Sequence, residues 1–191
     1  MCASLSLRGE DYTLQKAARR VNFLIEDEVS IRGELATAQN FAQVQLLPAP
    51  PGELVFETVC LRLLSIVPAD AERGLSPYYH FGIFTDAAEV GHINFRVGAS
   101  DHVRLYSGHI GYEVTEPFRG NRYGLRACRA LAPFMRSIYS SVILTSDPDN
   151  WPSLRTIERL GAVFLEVVAV PPEDPNYQRG SRSKRRYLWS L

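Results

Sequence analysis

Apolar residues recur with two periods along the chain. Between residues 53 and 97 they run together or alternate, which predicts strands, and after residue 122 they return every three or four positions, which predicts helices. Residues 53–67 are rich in Val, Leu, Phe, Thr and Ile and predict one strand. Residues 78–85 predict a second, with Tyr79, Phe81 and Ile83 on one face. Residues 90–97 predict a third, where Ile93, Phe95 and Val97 alternate with His92, Asn94 and Arg96. Polar segments at 68–77 and 86–89 separate them. Three successive strands suggest an antiparallel meander leading into a central strand. There Ile110, Tyr112 and Val114 alternate with His109, Gly111 and Glu113, until Pro117 ends the pattern for want of a ladder N–H.

Leu125, Cys128, Leu131, Met135 and Ile138 mark a helix over 122–138, which Pro133 is expected to kink. A short apolar strand at 142–145 follows. Asn150 is placed to cap a second helix, with Leu154, Ile157 and Leu160 as its stripe and Gly161 as its stop. Residues 163–170 are almost wholly apolar, so this strand is expected to be covered on both faces. A loop from Pro171 leads to a final strand over 184–191. Upstream, Leu14, Ala17, Ala18, Val21, Leu24 and Ile25 form a helical stripe. The stiff segment Pro48 to Gly52 is the best candidate boundary, dividing a helical extension over 1–48 from a main domain over 49–191. The extension could pack on that domain or mediate a homodimer. The pattern as a whole reads as α/β (α+β), with a mostly antiparallel sheet flanked by helices.

Bulk composition narrows the partners. With 191 residues the chain suggests one domain with an appended segment. The 21 basic and 21 acidic side chains cancel, so no global field recruits nucleic acid or membrane. Three separated cysteines, Cys2, Cys60 and Cys128, fit a reduced, cytoplasmic setting. The N-terminus is too short in apolar residues for a signal peptide, and no apolar run approaches bilayer length. His80, His92 and His102 have no metal-ligand spacing, so no metal is expected. Arg179-Gly-Ser-Arg-Ser-Lys-Arg-Arg186 could attract an acidic substrate, but such a run is more often a solvated turn entering an edge strand.

The charge that matters is local. Gly120 and Gly124 bracket Asn121-Arg122-Tyr123 ahead of a helix whose first turns carry Arg119, Arg122, Arg126 and Arg129. Cations there oppose the helix macrodipole. The arrangement makes sense if an anion sits on the free N–H groups, so the turn reads as a phosphate cradle. An ordinary strand-turn-helix accounts for the turn as well. Neither the Walker pattern nor Gly-x-Gly-x-x-Gly is present.

Arg119 to Gly124 resembles the acetyl-CoA turn of the GNAT superfamily of N-acyltransferases, Gln/Arg-x-x-Gly-x-Gly/Ala, departing at Arg122, where the family usually has glycine. A second motif lies in the family's order, one helix and one strand later. Asn150, Ser153, Ile157 and Glu158-Arg159-Leu160-Gly161 match Asn-x-x-Ser and the family's Glu-Lys-Leu-Gly in register. The resemblance covers about 53–191, and the wording Gly-His-Ile-Gly-Tyr-Glu-Val looks closest to bacterial predicted acetyltransferases and the branch that acetylates ribosomal-protein N-termini.

The resemblance implies a mixed, mostly antiparallel sheet split after the central strand, with acetyl-CoA in the split as co-substrate and an amine as acceptor. The pantetheine arm would pair with backbone near Glu113 and Val114, with the Val114 N–H as oxyanion donor. Arg119, Gly120, Asn121, Arg122, Tyr123 and Gly124 would hold the pyrophosphate, joined by Arg126 and Arg129, and Asn150 and Ser153 would contact the arm from the far wall. Ile157 stands where many relatives have a tyrosine acid, which Tyr187 or Tyr177 could replace. Glu113, then His109, are the candidate bases. The competing readings are a Glu113 paired with an arginine and a His109 satisfied in the core. Against the enzyme stands a non-catalytic CoA sensor or assembly module.

Overall fold

Residues 53–67 form a hairpin rather than one strand. The chain turns at Glu57, whose φ of 51° lies in the left-handed region, to give β1 (Leu54–Phe56) and β2 (Val59–Val67). The computed structural model describes residues 47–191 except 71, 72 and 87, so the helices expected within 10–45 lie outside the described residues. β3 (Tyr78–Phe84), β4 (Glu89–Arg96) and β5 (Ile110–Val114) continue the meander into a five-stranded antiparallel sheet, ordered β1-β2-β3-β4-β5. Between β4 and β5 lies a π-helical turn, His102–Ser107, which no apolar period along the chain signals.

One face of this sheet is core. Tyr79, Phe81, Ile83, Ile93 and Phe95 are buried there, as their alternation requires. They meet α1 (Tyr123–Arg136), whose Phe134 ring stands edge-on to Tyr79 at 5.0 Å and to Phe95 at 5.9 Å. The helix runs unbroken through Pro133 to Arg136. Tyr79 also donates its hydroxyl to the Pro48 carbonyl at 2.6 Å, tying the Pro-rich connector to the core. The other face carries His80, His92, Asn94, Arg96, Gly111 and Glu113, which the register sets side by side.

A second, three-stranded antiparallel sheet holds β6 (Ser141–Ser146), β7 (Val163–Ala169) and β8 (Ser183–Ser190) in the order β6-β8-β7. Two expectations fail here for one reason. The last strand is the middle of its sheet, so β7 is an edge. Val163, Phe164 and Val167 are 63%, 46% and 55% exposed, and β7 is not covered on both faces. The basic run is an exposed turn at Arg179, Gly180 and Arg182, but it enters the middle strand of its sheet and not an edge. Lys184 is buried and paired with Asp147 at 2.9 Å, and Arg186 is buried and paired with Glu166.

The two sheets join at one seam. His109 N–H donates to the Ile143 carbonyl at 2.7 Å, and Thr145 Oγ1 donates to the Tyr106 carbonyl at 3.0 Å. A side chain at Gly108 would meet β6 backbone at 3.0 Å, so the approach there requires glycine. Past the seam β5 and β6 belong to separate sheets. α1 links them, and α2 (Trp151–Leu160) follows β6.

Candidate active site

Where β5 and β6 part, a cleft of about 920 Å³ opens. Ile110 to Val114 form one wall, and Leu144 to Ser146 with the start of α2 form the other. This is the topological break at which open sheets take ligands.

The strand supplies backbone groups to the cleft. Thr115 N–H donates across to Val90 on β4, whereas the Val114 carbonyl accepts from Arg119 Nε at 2.9 Å on the opposite side. In a strand the N–H and C=O of one residue point the same way, so the Val114 N–H faces the cleft. Glu113 also lines it, exposed and with no ion pair among the described residues.

The turn before α1 is built by Arg122. It holds φ 58° and ψ 22°, the left-handed conformation, and no side chain caps the helix behind it. A non-glycine residue pays about 1 kcal/mol for this. Glycine at this position, as in the family turn, would remove that cost. Gly124 answers to a different demand: a Cβ there would lie 2.4 Å from the Tyr112 ring. Arg119, Gly120, Arg122, Tyr123 and Gly124 all line the cleft. Asn121 does not; its side-chain amide donates to the Phe118 carbonyl at 3.1 Å and shapes the turn from outside.

Arg126 and Arg129 turn away. Arg126 pairs with Glu57 at 2.6 Å, and Arg129 lies over the Phe56 ring. In their place Arg155 and Arg159 of α2 reach the cleft, two cations that the sequence reading passed over. On the same wall Asn150 caps α2, accepting the Ser153 N–H at 3.2 Å, and Gly161 closes it at φ 79°. Asn150, Ser153 and Ile157 line the cleft together with Trp151, which is 64% exposed.

His109 lies elsewhere. It is buried, outside the cleft lining, and its Nδ1 accepts the Ile143 N–H at 3.0 Å. Burial pulls its pKa from 6.5 down to about 4. It fastens the seam beneath the cleft. Tyr187 and Tyr177 are also outside the lining: Tyr187 packs against Phe164, and Tyr177 lies under Arg182. Tyr106, Tyr112 and Tyr123 line the cleft, and burial pushes Tyr112 up to about 12, so it is protonated at neutral pH. The alternation in β5 was its available signal.

A family model described as Acetyltransferase (GNAT) domain matches residues 57–163, more than half of the chain. The chain belongs to the GNAT acetyltransferase family. It is therefore an acyltransferase. No curated protein sequence matches the chain. Among solved structures it is similar to the RimL ribosomal L7/L12 alpha-N-protein acetyltransferase in complex with coenzyme A, at 14% identity and TM-score 0.51, covering 73% of this chain and 98% of that one. The apo form of RimL gives 15% identity and TM-score 0.51 over 75% and 99% of the two chains. A Vibrio cholerae protein assigned as a ribosomal-protein-serine acetyltransferase gives 16% identity and TM-score 0.50 over 75% and 100%. At these identities the likeness is one of fold, and the GNAT fold matches the split pair of sheets described above.

Proposed function

We propose that the chain transfers an acetyl group from acetyl-CoA to a primary amine of a small molecule or peptide. The observation that carries this reading is the cleft at the β5–β6 split, with a strand edge on one wall and an uncapped helix start on the same ligand path. The pantetheine arm pairs with β5 as an added strand. The pyrophosphate takes the free N–H groups of the 119–124 turn, aided by Arg119 and Arg122. Asn150 and Ser153 hold the arm from α2, and the exposed Trp151 offers a face for adenine. No described residue needs a metal for this chemistry.

An ammonium acceptor must first lose a proton. Glu113 is the carboxylate at the cleft that takes it. The neutral amine then attacks the thioester carbonyl, and the developing oxyanion rests on the Val114 N–H. Tyr112, which holds its proton at neutral pH, is the donor to the departing thiolate.

Thermal shift with acetyl-CoA and with CoA tests the site. Both are expected to raise the midpoint by several degrees, because each binds only the folded state. No shift with either ligand would end the reading. Thiol release across N-terminal peptides, polyamines and amino acids then finds the acceptor. Glu113→Gln is expected to lower kcat by about 10²–10⁴ while leaving acetyl-CoA affinity in place.

A further inference from the structure

A hydrogen-bonded chain stands at the closed end of the cleft. Ser107 lines the cleft, and its hydroxyl lies 2.7 Å from His102 Nε2. His102 Nδ1 in turn lies 2.7 Å from Asp174 Oδ2. Asp174 is buried, and its other oxygen accepts the N–H and the side-chain amide of Asn176 at 2.8 and 2.9 Å. The same Asn176 amide donates to Ser107 Oγ at 2.9 Å. The backbone brings the first pair together. Gly108 N–H donates to Val103 O, an i to i+5 bond, and this wide π-turn sets His102 beside Ser107.

The donors and acceptors fix the tautomer. A carboxylate only accepts, so Nδ1 carries the ring proton. Nε2 of the neutral ring is then an acceptor, and Ser107 gives it the hydroxyl proton. A ring backed by a buried carboxylate can hold a second proton as an imidazolium. Neither His102 nor Asp174 lines the cleft, whereas Ser107 does, beside Asn176 and Arg96. A carboxylate serving only to cap the short helix α3 (Pro175–Gln178) needs no histidine on its other oxygen.

We propose that Ser107 is a catalytic proton acceptor of this enzyme, with His102 and Asp174 as positioning residues behind it. The proposal rests on the acyl-transfer reading given above. Acetylating an ammonium group removes two protons from nitrogen, and Glu113 accounts for the first. As the C–N bond forms, the nitrogen's second proton passes to Ser107 Oγ while the hydroxyl proton passes to His102 Nε2. The C–S bond then breaks and Tyr112 protonates the thiolate; Glu113 gives its proton to solvent, the imidazolium returns its own through Ser107 to solvent, and Tyr112 is reprotonated from solvent.

The test is the reactivity of the Ser107 hydroxyl towards a fluorophosphonate, followed by intact mass and peptide mapping of the full chain. The native protein is expected to be labelled at Ser107, and Ser107→Ala not at all. His102→Gln is expected to slow labelling at least 100-fold with the midpoint of unfolding retained. An unlabelled native protein, or equal rates in native and His102→Gln proteins, overturns the relay. A stable acetyl adduct on Ser107 after acetyl-CoA alone overturns it in favour of an acyl-serine. Thermal shift of the native protein with acetyl-CoA reads the CoA site independently of the labelling, so failure of the relay and failure of the CoA site are read separately.

Discussion

Gly124 and Tyr112 share one space: the ring of Tyr112 fills the place where a Cβ at 124 would stand, 2.4 Å from its Cε2. The first turn of α1 and a cleft-lining residue of β5 are therefore set against each other. Gly124→Ala must push the ring aside. A stability loss of about 1–3 kcal/mol is expected, with acetyl-CoA affinity at least tenfold lower by calorimetry. Removing the ring in Tyr112→Ala/Gly124→Ala should cost less than the sum of the two single changes, since the clash is gone. Strict additivity would show that the two residues are independent.

Arg122 offers the opposite change. Its left-handed conformation is one that glycine adopts freely. Arg122→Gly is expected to raise stability by about 1 kcal/mol and to weaken acetyl-CoA binding by removing a cation from the cleft. The two effects separate in a thermal melt run with and without ligand. A destabilised apo protein would refute the strain assigned to the turn.

Asn150 carries a cap and faces the cleft at once. Asn150→Ala should cost about 1 kcal/mol, because the Ser153 N–H loses its acceptor. Asn150→Asp keeps an equal cap, so its melting temperature should stay near that of the native protein. Its new carboxylate, however, would face the CoA arm. Loss of acetyl-CoA affinity in the aspartate variant at unchanged stability is the expected result. Unchanged affinity would take Asn150 out of the ligand site.

His109 sets a pH dependence. Its folded pKa is depressed from 6.5 to about 4 by burial. The unfolded chain therefore binds a proton between those values that the folded protein does not. Stability from this group is complete above about pH 6.5, falls as the pH drops towards 4, and levels off below. The full effect is on the order of 3 kcal/mol. His109→Gln should flatten that part of a stability–pH curve measured by denaturant titration. An unchanged slope would assign the acid sensitivity to other groups.

The glycine turn, the Asn150 cap and the β3–β4 alternation were legible because each is local: cap chemistry, the glycine requirement and period-two burial are written within a few residues. Two motifs in family order then gave the fold and the cleft. What failed was set by long-range pairing. The apolar run 163–169 reads as a covered strand, but its place at the edge of the β6-β8-β7 sheet leaves it half in water. The basic run was misread for the same reason, since the partners of Lys184 and Arg186 come from Asp147 and Glu166.

The chemistry divides along the same line. By itself the sequence determined the family, the turn and both walls of the cleft, because these are short segments with their own backbone logic. Only tertiary structure decided which polar groups meet inside. It buried His109 in the seam and sent Arg126 to Glu57. It also brought Asp174 across 72 positions to His102, where a π-turn sets that ring against Ser107. A hydrogen bond depends on distance in space, and no period along the chain encodes that distance.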